Sequence, residues 1–190
     1  KGKTMIRRVY ERCSLVFDNT WVATDDYRIF NEVAGFGGRA VMTSEHHKSG
    51  TERCYEALAK IEKESGQKFD IVINVQGDEP CISPVQLREL AGCFEDKETQ
   101  IATLVSRFGH EENIFDPGIP KVVVSKNLFA IYFSRSVIPY VRGKKEELWR
   151  ECAVHYKHIG LYGYTKQALS EIVKLDETPA EKAEKLEQLR

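Results

Sequence analysis

The fold is decided by the stretch Ile71-Val72-Ile73-Asn74-Val75, which runs directly into Gln76-Gly77-Asp78-Glu79-Pro80. The nearly unbroken run of β-branched residues predicts a strand that is buried on both faces, as in a parallel sheet covered by helices. The residues that follow are typical of a loop, because glycine permits a turn or a close ligand and proline fixes the exit of the chain. Since ligands of open α/β sheets bind beyond the carboxyl ends of the strands, we expect a functional site here.

Helices and strands alternate around this stretch. The spacing of apolar residues predicts helices over residues 4–17 and 27–34, and further helices begin at the caps Ser49 and Ser83. Short strands are predicted over residues 21–23 and 40–42. This order is typical of an α/β fold with a mostly parallel sheet flanked by helices. Gly35-Phe36-Gly37-Gly38 follows a helix and precedes a strand, which favours a helix stop over a phosphate loop.

The second half of the chain is richer in strands. We predict them over residues 101–106, 122–125, 129–133 and 158–164, with one short helix near 111–115. A mixed sheet or an inserted β segment follows from this, and it can cover a site or form a dimer contact. Two helices end the chain, one over residues 166–175 and one that opens at Thr178-Pro179 and runs to Arg190 without a stop signal.

Composition excludes several classes of protein. With 42% hydrophobic and 10% aromatic residues, a chain of 190 residues can bury a real core, which argues against disorder. The 28 basic and 29 acidic residues give a net charge of −1, which argues against a nucleic-acid partner. No apolar run approaches the ~18 residues of a membrane span. Five cysteines without a C-x-x-C pair indicate reduced thiols in a cytoplasmic protein, not disulfides or a zinc site.

Asp78 is the candidate metal ligand. A magnesium ion that binds with a nucleotide usually takes only one or two protein carboxylates beside the phosphate oxygens. The position of Asp78 at the end of a strand favours that role, and the alternative is a solvated acidic turn.

The segment Ser49-Gly50-Thr51-Glu52-Arg53 enters a helix at its N-terminus. Backbone N–H groups and the helix dipole favour anionic ligands there, and Ser49, Thr51 and Arg53 can bond to a base or a phosphate. On residue types alone an ordinary helix cap is the stronger interpretation. His46 and His47 lack metal-ligand spacing and are interpreted as loop residues.

Two further segments carry polar groups on strands. Arg135 lies at a strand end, where a guanidinium can bind a carboxylate through two hydrogen bonds. His158 and Tyr162 share one face of a strand with Gly160 between them. That face can line a sugar site or be the solvated side of a sheet, and both interpretations stay open.

Taken in order along the chain, these segments resemble the 3-deoxy-D-manno-octulosonate (KDO) cytidylyltransferases. The resemblance covers the whole chain and rests on seven groups of residues: Gly2–Ile6 with Val9–Arg12, Val22–Asp26, Val41–Ser44 with Ser49–Arg53, Asn74–Pro80, Tyr132–Arg135 with Ile138–Tyr140, His158–Tyr162, and Leu186–Arg190.

The resemblance implies a Rossmann-like nucleotidyltransferase fold, a homodimer in the bacterial cytoplasm, and a reaction that joins CTP and KDO for lipopolysaccharide assembly with Mg²⁺ as cofactor. It implies a catalytic and metal-binding Asp78 and a catalytic Arg135. It places Ser49, Gly50, Thr51, Arg53 and Gln76 around the cytidine, and Arg135, His158, Tyr162, Glu187 and Gln188 around the sugar.

The chain departs from the family pattern at its ends. We interpret residues 1–190 as a single nucleotidyltransferase domain that lacks the N-terminal nucleotide loop and the C-terminal end with a second metal-binding aspartate. Lys157 stands where the family more usually has arginine, which keeps the charge but loses the guanidinium fork. The alternatives are a cytidylyltransferase for another sugar, of the acylneuraminate type, and a non-catalytic nucleotide-binding module.

Overall fold

The structure is a computed structural model that describes residues 2–190. The chain forms two compact units. The first contains the described residues up to Ala102 together with Leu161–Lys174, and the second contains Thr103–Gly160 and Leu175–Arg190.

The first unit confirms the predicted alternation of helices and strands. Its elements are α1 (Met5–Ser14), β1 (Val22–Thr24), α2 (Tyr27–Gly35), β2 (Ala40–Met42), α3 (Gly50–Ser65), β3 (Ile71–Asn74), α4 (Pro84–Gly92) and α6 (Lys166–Ile172). α2 ends at the predicted glycines, where Gly37 adopts a φ of 77°. The predicted capping box of α4 forms in full, with Ser83 and Gln86 each bonded to the other's backbone N–H.

Within each unit strands pair antiparallel as well as, in the first unit, parallel, so the expectation of a mostly parallel sheet is corrected. β1 and β2 are parallel. β3 pairs antiparallel with residues 162–165 of β7 (Tyr156–Thr165). A run of apolar residues predicts a strand, but it does not specify the direction of the neighbour with which the strand pairs.

Burial of β3 also differs from the expectation. Only Asn74 is buried, whereas Ile71 is 41% exposed. β3 pairs with β7 on one edge, and Ile71 and Ile73 line an open cavity. The strand was therefore predicted correctly and its burial on both faces was not.

The core of the first unit forms around α3. Ala57 and Ile61 pack against Val41 of β2, while Leu58 packs against Tyr164 of β7 and Leu169 of α6. These positions lie on the helix face that the apolar spacing predicts.

The second unit contains an antiparallel hairpin of β5 (Lys121–Val124) and β6 (Ala130–Ser134). Tyr156 and Lys157 of β7 pair antiparallel with β5. β4 (Ile101–Arg107), which also pairs with β7, α5 (Trp149–Cys152) and α7 (Pro179–Glu184) are the other regular elements. The core of this unit forms from Val122, Phe133 and Leu186. The β-rich second half is confirmed.

Residues 111–115 form turns, so the short helix predicted there is wrong. The Asn113 side chain accepts the N–H of Phe115 over 2.9 Å, and Arg150 Nη1 binds the carbonyl oxygens of His110 and Glu112. These contacts occupy backbone groups that a helix would need for its own hydrogen bonds.

The last helix stops earlier than predicted. α7 ends at Glu184, and Lys185 adopts the left-handed conformation with φ of 50°. The turn brings Leu186 into the core of the second unit, where it is 5% exposed. Tertiary burial of one leucine therefore ends a helix for which the sequence contains no stop signal.

No helix within residues 2–190 is long and apolar enough to cross a membrane. All five cysteines, each within these residues, are free thiols.

Candidate functional site

The N-terminus of α3 meets the carboxyl ends of β1 and β2 through Arg53. Its Nη1 donates to Thr43 Oγ1 over 2.6 Å, just beyond β2, and its Nη2 donates to Asp25 Oδ2 over 2.8 Å, just beyond β1. Arg53 therefore holds two strand ends against the first turn of the helix.

Ser49 caps α3 as the sequence predicts. Its hydroxyl oxygen accepts the N–H of Glu52 over 3.3 Å, and the Glu52 carboxylate accepts the N–H of Lys48 over 2.9 Å. The carboxylate bonds one residue earlier than in a full capping box. The cap confirms the helix boundary and leaves open whether the helix end also binds a ligand.

Gly50 lies close to the end of β3. A Cβ atom at this position would lie 3.3 Å from Asn74 Nδ2 and 3.7 Å from Gln76 Nε2. The helix backbone approaches these two amides closely because residue 50 has no side chain.

A cavity of about 850 Å³ opens beside these groups in the first unit. Ser49, Gly50, Arg53 and Gln76, four of the five residues that sequence reasoning assigned to the nucleotide, line it. Thr51 is buried elsewhere, with its hydroxyl 3.4 Å from that of Tyr164. The wall also includes residues that sequence reasoning missed or did not place there: Lys48, Asn74, His47 and, at the apolar end, Ile6, Val9, Ile71 and Ile73.

The loop before α3 is held by Glu56. A hydrogen bond from Lys60 and another from the backbone N–H of Ser44 lower the pKa of Glu56 to about 2, which keeps it ionised. His47 contacts the same carboxylate and lies 3.7 Å from Glu52. His47 therefore packs within a loop, as expected.

Asp78 lies in the exposed turn after β3. Within residues 2–190 no group of three or more His, Cys, Asp or Glu side chains is placed to hold a metal ion. A single exposed carboxylate fits an ion that arrives with the oxygens of a nucleotide, because such an ion needs few protein ligands.

In the second unit, His158 and Gln188 contact each other. Gln188 Nε2 lies 3.2 Å from His158 Nδ1, and Thr103 Oγ1 lies 2.8 Å from His158 Nε2. Burial lowers the pKa of His158 to about 4, so the ring is neutral at pH 7. Two residues that the sequence predicted for the sugar are thus brought together, along with Thr103, which it did not predict.

Arg135 contacts backbone carbonyls. Its Nε donates to Glu184 over 2.6 Å, Nη1 to Pro117 over 2.9 Å and Nη2 to Lys185 over 3.2 Å. Two of the five guanidinium donors therefore hold the end of α7, a third holds the loop at Pro117, and one N–H on each Nη remains beyond these bonds.

The remaining residues predicted for the sugar lie on different elements. Glu187 lies 3.7 Å from Arg190 Nη2 in the second unit. Tyr162 belongs to the first unit, where its ring stacks on that of Tyr164 with centroids 6.0 Å apart.

A sequence model of the cytidylyltransferase family matches residues 1–190. The chain is 53% identical to the 3-deoxy-manno-octulosonate cytidylyltransferase of Parabacteroides distasonis and 52% identical to that of Phocaeicola vulgatus. Each alignment includes 100% of this chain and 75% of the relative. The chain belongs to the 3-deoxy-manno-octulosonate cytidylyltransferase family.

Solved structures support this family. A structure of CMP:2-keto-3-deoxy-manno-octonic acid synthetase complexed with CTP matches with a TM-score of 0.87 and 42% identity, over 99% of this chain and 74% of that one. 4-Diphosphocytidyl-2C-methyl-D-erythritol synthase from Anaerococcus prevotii matches with a TM-score of 0.54 at 9% identity, over 96% and 74% of the two chains. The second match shows a shared fold alone.

Among the residues that sequence reasoning missed, Asn74 and Thr103 were missed for different reasons. Asn74 carried a signal, since it is a polar residue at the end of an apolar strand and is 6% exposed. Thr103 carried none, because threonine is common in strands and only the fold places its hydroxyl against His158.

Proposed function

We propose that the chain transfers the cytidylyl group of CTP to KDO, releasing CMP-KDO and pyrophosphate, on a Rossmann-like nucleotidyltransferase fold in the bacterial cytoplasm. The product activates KDO for lipopolysaccharide biosynthesis. The observation that carries the proposal is the identity of 53% to a named KDO cytidylyltransferase along the full chain. The neighbour at 42% identity was solved with CTP, which supports the choice of nucleotide.

The cytidine binds at the N-terminus of α3. Ser49, Gly50, Arg53 and Gln76 line the cavity there, and the amide of Gln76 and the guanidinium of Arg53 match the acceptors of a cytosine or a phosphate. Thr51, in the same helical turn, is buried outside this wall and contacts Tyr164. The close approach of Gly50 to Asn74 fixes the width of the site.

Asp78 holds the magnesium that accompanies the triphosphate. Its carboxylate is exposed beyond β3, where it can reach a nucleotide bound at the adjacent Gln76 and Gly77. Magnesium supplies neutralisation of phosphate charge when it is bound. The residues of the chain then contribute by holding the nucleotide and the sugar in line, since little covalent help is required.

Sugar recognition in the second unit involves Arg135, His158, Glu187 and Gln188. The two N–H donors of Arg135 that lie beyond its carbonyl bonds suit the KDO carboxylate. His158 is neutral and positions Gln188, with which it forms a hydrogen bond. In the reaction, the anomeric hydroxyl oxygen of KDO bonds to the α-phosphorus, the bond to the β-phosphate oxygen breaks, and the hydroxyl proton leaves to solvent.

The second unit supports the proposed homodimer. Three apolar side chains of the β5–β6 hairpin are exposed: Leu128 at 83%, Ile131 at 65% and Phe129 at 53%. Contiguous exposed apolar groups on one hairpin are typical of an interface between proteins. We expect Ile131→Asp to convert the dimer to a monomer in light scattering, whereas an unchanged mass would remove the hairpin from the interface.

Pyrophosphate release tests the function. The full-length protein with Mg²⁺ is assayed with CTP or UTP, each paired with KDO or an acylneuraminate, and release with CTP and KDO alone is expected. Preference for an acylneuraminate would assign the other sugar. Binding of CTP without release from any pair would favour the nucleotide-binding module.

The role of Asp78 as metal ligand is tested by comparing its variant with a variant of the adjacent Glu79. Asp78→Asn removes the charged ligand and is expected to abolish Mg²⁺-dependent turnover, while Glu79→Gln removes an adjacent exposed charge and is expected to keep it. Near-normal activity of Asp78→Asn would exclude Asp78 as the metal ligand.

A further inference from the structure

The ring of His158 is held on both nitrogens within the second unit. Thr103 Oγ1 lies 2.8 Å from Nε2 and Gln188 Nε2 lies 3.2 Å from Nδ1. The ring also packs edge-on against Phe133, with centroids 5.2 Å apart and planes at 85°. Its rotation is therefore defined by three neighbours.

The carbonyl oxygen of Ile159 determines where the hydrogen atoms of Thr103 and His158 lie. Thr103 Oγ1 also lies 3.2 Å from the carbonyl oxygen of Ile159, and a carbonyl can only accept. Because a hydroxyl has a single proton, Thr103 donates it to Ile159 and accepts from His158. Nε2 therefore carries the ring proton, and Nδ1 accepts from the amide nitrogen of Gln188.

The opposite tautomer requires both neighbours to turn. With the proton on Nδ1, the Gln188 carboxamide would have to present its oxygen to the ring instead of its N–H. Thr103 would also have to turn its proton towards Nε2 and away from Ile159. Breaking such bonds in a partly buried group is unfavourable because the lost partners are not replaced by water.

We propose that Thr103 is a positioning residue of the sugar site: it holds His158 as the Nε2–H tautomer and thereby sets which end of the Gln188 carboxamide faces the imidazole. The carboxamide oxygen of Gln188, which is buried, is then turned away from the ring. This inference rests on the proposed function for its consequence in catalysis. The tautomer itself is a property of the protein without substrate.

The tautomer is tested by nitrogen–proton correlation spectra of the histidine rings in full-length protein labelled with ¹⁵N, with His158→Gln used to assign the signal. The wild type is expected to show the Nε2–H pattern. Thr103→Val keeps the shape of the side chain, removes the acceptor and is expected to lose this pattern. Thr103→Ser keeps the hydroxyl and is the matched control, expected to resemble the wild type.

Steady-state kinetics of the same variants test the consequence. Thr103→Val is expected to raise the KM for KDO about tenfold, as for one lost hydrogen bond, with the KM for CTP unchanged. Thr103→Ser is expected to change neither. A purely structural effect of residue 103 would lower the yield or stability without separating the two KM values.

The outcomes separate the inference from the proposed function. An Nδ1–H pattern in the wild type, or an Nε2–H pattern that persists in Thr103→Val, overturns the inference. So does a changed tautomer with an unchanged KM for KDO. Absence of KDO turnover in the wild type, with the expected spectra, overturns the proposed function and leaves the tautomer assignment intact.

Discussion

Arg135 and Glu184 are joined through both backbone and side chain. Nε of Arg135 donates to the carbonyl oxygen of Glu184 over 2.6 Å, and the backbone N–H of Arg135 donates to Glu184 Oε2 over 2.8 Å. The other carboxylate oxygen accepts from Ser134, whose hydroxyl lies 2.7 Å away. These three hydrogen bonds hold the end of β6 against the end of α7.

Replacement of Glu184 tests this contact. Glu184→Ala leaves the buried hydroxyl of Ser134 and the N–H of Arg135 without acceptors, and we expect a loss of about 1–3 kcal/mol in the free energy of unfolding. Glu184→Gln retains one acceptor oxygen and is expected to lose less. Urea unfolding measures the free energy of unfolding of both variants. Equal losses would show that the acceptor oxygen kept in Glu184→Gln contributes little.

Two glycines of β7 provide a matched test of packing. A Cβ atom at Gly163 would lie 2.5 Å from the ring of Phe94 and 3.0 Å from Ile73, whereas one at Gly160 would meet nothing within 4 Å. We expect Gly163→Ala to lower the free energy of unfolding by about 1–3 kcal/mol because the ring must move. Gly160→Ala is expected to be neutral in the same thermal unfolding measurement, and similar losses in both variants would contradict the packing explanation.

Gly50 provides a test of the proposed nucleotide site. Gly50→Ala places a methyl group 3.3 Å from Asn74 Nδ2, so this amide must shift by a few tenths of an ångström, and in ordinary contact with Gln76 Nε2 at 3.7 Å. We expect the KM for CTP to rise about tenfold, with little change in the KM for KDO. Gly92→Ala, at the end of α4 in open space, is the control and is expected to leave both constants unchanged. An unchanged KM for CTP in Gly50→Ala would place the cytidine elsewhere.

The lowered pKa of His158 predicts that the free energy of unfolding depends on pH. Burial lowers its pKa from 6.5 to about 4, so the unfolded chain binds more protons between these values and stability falls as the pH drops through them. The contribution is fully present above pH 6.5 and amounts to at most about 3 kcal/mol. Glu56 and Glu62, each with a pKa lowered to about 2, lose their contributions only below their usual value of 4.5.

The range from pH 4.5 to 6.5 therefore separates the contribution of His158 from those of Glu56 and Glu62. Urea unfolding of the wild type is expected to weaken across this range, and His158→Gln is expected to weaken much less. Parallel slopes for the two proteins would assign the dependence to other groups.

Local patterns predicted most elements of the fold. The caps Ser49 and Ser83 and the glycines after α2 lie where expected, because capping and turn formation depend on a few neighbouring residues. α7 was predicted too long because the signal that ends it, the burial of Leu186, lies outside the local sequence.

Residue types and their order were sufficient to predict the family and four of the residues that line the cavity beside α3. They were not sufficient to predict the strand directions, the hydrogen bonds of Arg135 to backbone carbonyls or the hydrogen bond between Thr103 and His158. The contact between Thr103 and His158 joins residues 55 positions apart in the chain, and the pairing of β3 with β7 joins Ile71 and Thr165. A sequence specifies which hydrogen-bonding groups exist, but which donor meets which acceptor depends on how the folded elements pack.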